Sequence, residues 1–407
     1  MNNAYVIRGK KLVTVSEKGT IYDGAMFIKD GKIIEVGSWT DFRHKYAETE
    51  VIDYSSYVIT PSLVDCHTHL LEFAPTSLHP ITNETHFLSG KAILLHALSS
   101  GITALGEQIC GHPMCDFSID EYREVVKDIP LDISFAATSI SIGFKELTHF
   151  TSITKSSPVK QKDLSNFLLV KEMAQCSDYP GENIFINATP ANFTADIVPR
   201  AGEIMYTLEE LNKIVEIYHQ FGKQIGAHVA GYDAIQMTLD AGLDVLHHAH
   251  GITDEQIVRA KQQGVKIVAT PMGGTHLEPN SPENILKLTQ KNIPVSIATD
   301  AYLPPYPDAS WLPFQDQDLK GPDMLMLIAH PSMKLLKENG YDENDILSLL
   351  TANPADILGN GNEFGRLVNG MDANFLVVDG IPGLDVTDIE EIRKVYFRGK
   401  KVIDRAF

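Results

Sequence analysis

The stretch that decides the fold is Thr60-Pro-Ser-Leu-Val-Asp-Cys-His-Thr-His-Leu70, an apolar run that ends in two histidines. The run has the composition of a buried strand, and His67 and His69 stand two positions apart at its carboxyl end. Residues two apart in an extended strand share a face, so both imidazoles can approach one metal ion. Two incidental surface histidines would give the same pattern, so the rest of the chain has to decide between these interpretations.

Further apolar runs follow the first one, with helical stretches between them. Thr207 and Glu210 form a capping box at the start of one such helix, and Gly222 ends it. This alternation is typical of a parallel sheet, and it predicts a (β/α)₈ TIM barrel over residues 56–357. An open doubly wound sheet is the alternative, but no Gly-x-Gly-x-x-Gly turn follows any run. The eight runs expected to be strands are 58–69, 102–107, 132–139, 183–189, 224–229, 244–250, 266–271 and 294–300.

The two ends of the chain have a different pattern from the middle. Residues 1–55 and 358–407 contain short alternating strands, and Asp30-Gly31 is a hairpin turn. Neither end has enough strands to fold alone. We therefore expect both ends to pair into one small composite β-sandwich domain beside the barrel.

The excess of acidic residues argues against some classes of binding partner. The 407 residues carry 34 Lys and Arg against 53 Asp and Glu, a formal net charge of −19. Such a chain repels phosphate backbones and anionic lipid surfaces, so neither nucleic acid nor membrane is an expected partner. The N-terminus lacks the apolar core of a signal peptide, and no apolar run is long enough to span a bilayer, so we expect a cytoplasmic protein.

Metal-binding side chains recur at the ends of four predicted strands. Besides His67 and His69, the fifth, sixth and eighth runs end near His228, His248 and Asp300. The carboxyl ends of barrel strands converge on one face, and imidazole with carboxylate is a ligand set of Zn²⁺. The sequence therefore predicts a site for one or two divalent ions at this face.

Two more histidines of the sixth run need an assignment. His247 has the opposite parity to His248, so we expect it to pack against a helix as a hydrogen-bonded histidine. His250 lies past the expected strand end and is assigned to substrate contact.

These motifs resemble the amidohydrolase superfamily of metal-dependent hydrolases. Residues 60–70 resemble its Pro-Gly-Leu-Ile-Asp-x-His-x-His signature, and residues 241–248 and 294–301 resemble segments of its imidazolonepropionase-like and prolidase-like branch. The tail over 350–380 is similar to the closing helix and the return of the chain into the small domain. The resemblance implies that His67, His69 and Asp300 hold the more buried ion, and that His228 and His248 hold a second ion or orient the attacking water.

Two positions depart from that family pattern, and a cysteine offers a substitute for one of them. Phe185 stands where the prolidase-like branch has a carboxylated lysine that bridges two ions. Gly231 stands where the deaminase-like branch has a proton-shuttling glutamate. Cys110 matches a bridging cysteine of D-aminoacylase-type members, and a thiolate can span two Zn²⁺ ions. A loop cysteine without a metal role is the other interpretation of Cys110.

The resemblance implies a hydrolase that cleaves a C–N bond in a small molecule, such as an amide, a lactam or a dipeptide-like compound. Metal-activated water would be the nucleophile, Asp300 the general base, and His248 an oxyanion stabiliser where it is not a ligand. A mononuclear deaminase of an aminoheterocycle, with His67, His69, His228 and Asp300 on one ion, is the rival enzyme. A non-catalytic binding protein of the same fold ranks below both. The sequence leaves open whether the chain forms a homo-oligomer.

Overall fold

The computed structural model describes residues 4–73, 82–109, 118–138, 166–188 and 201–405. Cys110 lies outside these residues, so its predicted bridging role stays a prediction. The strands are β1 Ala4–Val13, β2 Thr20–Lys29, β3 Lys32–Ser38, β4 Glu50–Pro61, β5 Leu63–Thr68, β6 Ile102–Ile109, β7 Asp132–Ala137, β8 Ile184–Phe185, β9 Gly226–Ala230, β10 Val245–His250, β11 Lys266–Ala269, β12 Val295–Ile297, β13 Phe375–Val378, β14 Ile392–Phe397 and β15 Lys400–Asp404.

Helices follow most of the strands between β5 and β12. The α-helices of the described residues are α1 Trp39–Lys45, α2 Leu70–Phe73, α3 Asn83–Ser99, α4 Ile119–Val126, α5 Phe167–Cys176, α6 Leu208–Gln220, α7 Tyr232–Ala241, α8 Asp254–Gln263, α9 Pro282–Gln290, α10 Leu325–Glu338, α11 Glu343–Ser348 and α12 Ala352–Ile357. The predicted capping box of Thr207 and Glu210 is present at the start of α6. Local hydrogen bonding at the helix start therefore sets this boundary, as the sequence indicated.

The central strands pair in parallel and in chain order. β5, β6 and β7 form one sheet, and β8 to β12 form another. Among the described residues no ladder of hydrogen bonds joins β7 to β8 or β12 to β5. The chain just after β12 nevertheless lies beside β5, since the Asp300 amide donates to the His67 carbonyl (3.1 Å) and the His69 amide donates to the Ala301 carbonyl (2.9 Å). The first and last of these strands are thus neighbours at the histidine end.

The predicted strand over 58–69 is two strands in the structure. β4 ends at Pro61 in the sheet of the chain termini, and β5 begins at Leu63. The switch occurs at Ser62, whose amide donates to the Asn374 carbonyl, whereas the next amide, of Leu63, donates to the Gly101 carbonyl. One apolar run therefore serves two sheets in succession.

The two ends of the chain form one sheet of seven strands in the order β15-β14-β13-β4-β1-β2-β3. This sheet curls, because the Ile33 amide donates to the Met371 carbonyl (2.8 Å) and the Ala373 amide donates to the Gly31 carbonyl (2.8 Å). The β2–β3 hairpin thereby reaches the residues before β13, although three strands separate β3 from β13 in the sheet. The predicted β-sandwich is thus a single curled sheet, and the domain bounds at residues 55 and 358 stay predictions.

Small apolar side chains fill the space between the central strands, away from the histidines. The cluster is closed by residues of α12 and the segment that follows it, among them Ile357, Leu358 and Phe364. Its strand members are Val64, Cys66, Ala104, Ala136, Val245, Val268 and Ala298. This packing excludes water from one end and leaves the polar site at the carboxyl ends of the strands.

Candidate metal centre

The structure brings together the described residues that the sequence predicted as ligands. His67, His69, His228, His248 and Asp300 lie around one point at the carboxyl ends of β5, β9, β10 and β12. Together with Glu182, which was not predicted, their donor atoms form three overlapping triplets, each with all atoms within 4.8 Å of one another. The triplets are His67, His248 and Asp300; His67, His69 and Glu182; and Glu182, His228 and His248.

Glu182 is the central member of this cluster, and sequence reasoning missed it. Its Oε1 atom lies 2.8 Å from Nδ1 of His228 and 2.7 Å from Nε2 of His248. Its Oε2 atom lies 3.6 Å from Nε2 of His67 and 3.5 Å from Nε2 of His69. The two oxygens of one buried carboxylate therefore face two different pairs of histidines.

A tight turn before β8 places Glu182. Gln108 of β6 accepts a hydrogen bond from the Glu182 amide (2.8 Å) and donates one to the Tyr179 hydroxyl (2.7 Å). Phe185, at the position expected for a lysine, stacks on the His228 ring with the ring centroids 4.3 Å apart. The carboxylate of Glu182 thus reaches the site from the residue directly before the run 183–189, where the sequence predicted no ligand. The one available signal was an acidic residue beside a predicted buried strand.

Asp300 completes the side of the cluster that holds the His-x-His pair. Its Oδ1 atom lies 3.1 Å from Nε2 of His67 and 3.5 Å from Nε2 of His69. The backbone at Asp300 has a positive φ of 51°, which directs the chain sharply away from β12. Oδ1 thus faces His67 and His69, whereas Oδ2 lies 4.0 Å from Nδ1 of His248.

A β-bulge in β10 corrects the prediction for His247. His248 and Ala249 have φ values of 68° and 48°, and the register with β9 shifts between His248 and His250. The bulge re-aims the strand, so successive side chains no longer alternate between its faces. His247 does not pack against a helix as predicted, because its Nδ1 atom lies 2.7 Å from Nδ1 of His67.

His250 lies next to this cluster and is held by two threonines. Its Nδ1 atom lies 2.7 Å from the Thr275 hydroxyl oxygen, and its Nε2 atom lies 3.2 Å from that of Thr270. It also lines a pocket of about 310 Å³ together with Leu277, Glu278 and Asn280. The substrate contact assigned to His250 stays a prediction.

Burial and neighbouring charges set the protonation of the cluster. Burial lowers the pKa of His67 well below its usual range, so that ring is neutral. Burial alone would raise the pKa of Glu182, whereas positive charge at the positions of His67 and His228 would lower it well below its usual range. Burial raises the pKa of Asp300 to about 6, and the Glu182 carboxylate adds to that rise against the opposite effect of His248 and His69. Neutral imidazole beside an ionised carboxylate is the form in which these groups bind metal.

A buried ring nitrogen tests whether a metal ion fits. Nε2 of His67, the nitrogen that faces Glu182 and Asp300, is buried and makes no hydrogen bond. A buried polar atom without a partner costs about 1–3 kcal/mol, which a bound cation would offset. The donor set of imidazoles and carboxylates suits a divalent ion such as Zn²⁺. The residues therefore fit a metal centre.

Histidines and carboxylates gathered at the carboxyl ends of parallel strands are the arrangement expected of a metal-dependent enzyme. The chain belongs to the Amidohydrolase family, whose pattern matches residues 58–402. It is a hydrolase that acts on carbon–nitrogen bonds. None of the helices in the described part is both long and apolar enough to cross a membrane.

Curated relatives give a more specific likeness. The imidazolonepropionase of Pyrobaculum arsenaticum is 24% identical over 316 residues, which cover 72% of this chain and 77% of that protein. The imidazolonepropionase of Brucella abortus (strain S19) is 36% identical over 74 residues, which cover 17% of this chain and 18% of the relative. The chain thus matches less than a fifth of the length of this second relative.

Solved structures share the fold over nearly the whole chain. A molinate hydrolase superposes with a TM-score of 0.73 at 18% identity, and the aligned part covers 98% of this chain and 94% of the hydrolase chain. A Xaa-Pro dipeptidase with bound methionine superposes with a TM-score of 0.70 at 15% identity and covers 98% of this chain and 99% of its own. These neighbours imply a TIM barrel with an extra domain, which agrees with the predicted architecture at that level.

Proposed function

We propose that this protein hydrolyses a C–N bond in a small amide, lactam or dipeptide-like molecule with two divalent ions, preferably Zn²⁺, joined by Glu182. One observation carries the proposal. The Oε1 atom of Glu182 faces His228 and His248, and its Oε2 atom faces His67 and His69. A carboxylate whose two oxygens each face a different pair of histidines is suited to bind two ions. It would do here what a carboxylated lysine does in the prolidase-like branch.

The bound ions and Asp300 would have different roles in the reaction. When bound, divalent ions lower the pKa of water and polarise a carbonyl group. Asp300 turns Oδ1 to His67 and His69, which leaves Oδ2 to accept a proton from the attacking water. An ionised Asp300 would take up that proton and pass it to the leaving nitrogen. The apolar cluster that includes Ile357, Leu358 and Phe364 excludes water from one side of the site. The low dielectric constant there strengthens these electrostatic contacts.

The mononuclear deaminase remains the second candidate, since the rings of His67, His69 and His228 and the Asp300 carboxylate are all present. Gly231 argues against it. This residue begins α7 with a φ of 86° and has no side chain that could carry a proton. A different residue would have to supply the shuttle, which makes the hydrolase the better supported function.

Metal content per chain tests the proposal. We expect two ions in the wild-type protein and one in Glu182→Gln, which has nearly the same shape but cannot link two cations. Glu278→Gln changes an exposed glutamate nearby and is the matched control, expected to keep both ions. Cys110→Ala should also keep both, whereas loss of one ion there would move the bridge to the thiolate. Two ions in Glu182→Gln would overturn the role of Glu182.

Activity then separates the two candidate reactions. Metal-loaded protein is incubated with N-acyl amino acids, dipeptides and lactams, and separately with aminoheterocycles. We expect release of amine and carboxylate products from the first set. Ammonia release from aminoheterocycles alone would favour the deaminase.

A further inference from the structure

The hydroxyl group of Thr270 is the point where three polar groups meet beside the metal centre. Thr270 follows β11 and is completely buried. Its Oγ1 atom lies 2.7 Å from Nδ1 of His248, 3.2 Å from Nε2 of His250 and 2.8 Å from the carbonyl oxygen of Gly273. Thr270 itself is not one of the ligands proposed above.

Hydrogen-bond accounting decides which atom carries each proton. A carbonyl oxygen only accepts, so the single hydroxyl hydrogen of Thr270 goes to Gly273. The lone pairs of the same oxygen then face the two rings. Nδ1 of His248 must therefore carry a hydrogen and donate it to Thr270. In the neutral ring this leaves Nε2 of His248 with a lone pair.

That lone pair points to the proposed metal position. Nε2 of His248 lies 2.7 Å from Oε1 of Glu182, so two electron pairs approach the same point. Such a pair of donors is repulsive without a cation between or beside them and favourable with one. In the neutral ring, Nε2 of His248 is thus oriented to bind a cation and not to donate to Glu182.

The hydrogen bonds between His250 and the hydroxyl groups of Thr275 and Thr270 can be assigned in the same way. The Thr275 hydroxyl oxygen accepts from the Leu277 amide (3.2 Å), and its hydrogen is free to go to Nδ1 of His250, 2.7 Å away. Nε2 of His250 then carries the hydrogen that Thr270 accepts. The loop after β11 and its neighbour His250 therefore hold the Thr270 hydroxyl in one orientation.

We propose that Thr270 is a positioning residue that fixes His248 as an Nε2 ligand of the ion shared by Glu182 and His228. This inference rests on the proposed function, because it assigns His248 to the second ion. A partner that hydrogen-bonds the outer nitrogen of a ligand histidine typically contributes a factor of 10–100 in metal affinity. We expect that factor to depend on the hydroxyl and not on the size of residue 270.

Two variants of Thr270 separate the hydroxyl from the packing. Thr270→Val keeps the shape and removes the hydroxyl, and Thr270→Ser keeps the hydroxyl and removes a methyl group. Thr238→Val is the matched control, since Thr238 is equally buried but its hydroxyl donates to the Ile235 carbonyl within α7. Affinity for each Zn²⁺ ion is measured by chelator competition, and the folded state is checked by thermal unfolding.

We expect Thr270→Val to bind the second ion roughly 10- to 100-fold more weakly, with Thr270→Ser and Thr238→Val near wild type. Unchanged affinity in Thr270→Val, or an equal loss in Thr270→Ser, would overturn the inference. A wild-type protein that binds fewer than two ions would instead contradict the proposed function.

A measurement on the zinc-loaded wild-type protein covers the case in which Thr270→Val does not fold. The ¹⁵N shifts of the histidine rings report which nitrogen carries hydrogen, and His248→Gln assigns the His248 signals. We expect hydrogen on Nδ1 and zinc on Nε2 of His248. The reverse arrangement would overturn the role of Thr270.

Discussion

The Nδ1 atoms of His67 and His247 lie 2.7 Å apart, and both rings are completely buried. Nε2 of His247 lies 3.0 Å from the carbonyl oxygen of Pro180, which can only accept. Burial lowers the pKa of His247 to about 3, so this ring is neutral and carries its hydrogen on Nε2. Its Nδ1 atom accordingly accepts from His67, which leaves Nε2 of His67 with a lone pair directed at Glu182 and Asp300.

Removal of the His247 ring should weaken metal binding at His67. We expect His247→Leu to reduce the affinity for the ion held by His67, His69 and Asp300 by roughly 10- to 100-fold, because Nδ1 of His67 loses its acceptor. Chelator competition measures the affinity. His44→Leu changes an exposed histidine and should have no effect. Equal affinities in the two variants would show that His247 only fills space.

The contrast between His248 and His247 shows what the sequence could predict about the site. The strand ends near His67, His228, His248 and Asp300 were predicted because the carboxyl ends of barrel strands meet on one face. The inward position of His247 was not, because the bulge with positive φ at His248 and Ala249 lets His247 and His248 face the same site, which regular strand parity does not allow. Strand parity assumes regular pleating, and a bulge cancels that assumption without a clear signal in the residues.

Glu182 could not be predicted for a different reason. It lies in a turn before β8, at the wrong end of the predicted run, and its placement depends on Gln108 from another strand. Such a contact joins residues 74 positions apart. The paired ends of the chain were predicted from their alternating pattern, but the curl of their sheet arises from long-range contacts such as that of Ile33 with Met371.

Asp300→Asn should abolish turnover while the protein stays folded. The amide keeps the shape of Asp300 but cannot accept the proton of the attacking water, and general-base catalysis contributes typically 10²–10⁴-fold. We expect kcat on an identified substrate to fall by at least about 100-fold. Thermal unfolding of the metal-loaded protein is the control for folding. Near wild-type turnover would remove Asp300 from the mechanism.

The backbone at Gly274 comes so close to the site that a side chain does not fit. A Cβ atom there would lie 2.5 Å from Cε1 of His248 and would also contact Oδ2 of Asp300. Gly273 also has a positive φ, but a Cβ atom there would meet nothing within 4 Å. We expect Gly274→Ala to lower kcat/KM at least about tenfold, a barrier rise of about 1.4 kcal/mol, by displacing Asp300 or His248. Gly273→Ala carries a similar backbone strain and should lose much less activity, and equal losses would point to strain alone.

The last prediction concerns Asp132, far from the metal centre. Its side chain is mostly buried at the start of β7 and forms an ion pair with Arg398 (2.5 Å), which also contacts Asp372. Burial raises the pKa of Asp132 to about 6, and the nearby carboxylates of Asp372 and Glu363 add to the rise against the lowering by Arg398. The folded protein therefore favours the protonated carboxyl group, compared with an ordinary value of 3.8 in the unfolded chain.

A raised pKa in the folded state fixes the sign of the pH dependence. The stability that Asp132 contributes is fully present below pH 3.8 and is lost as the pH rises through about 6. Asp132→Asn cannot ionise, so its free energy of unfolding should improve relative to the wild type by up to about 3 kcal/mol between pH 4 and pH 7. The attraction between ionised Asp132 and Arg398 is already contained in the folded pKa of Asp132, so it adds no separate contribution. Urea unfolding of both proteins at several pH values measures the difference. A difference that does not change with pH would show that Asp132 titrates alike in the folded and unfolded chain.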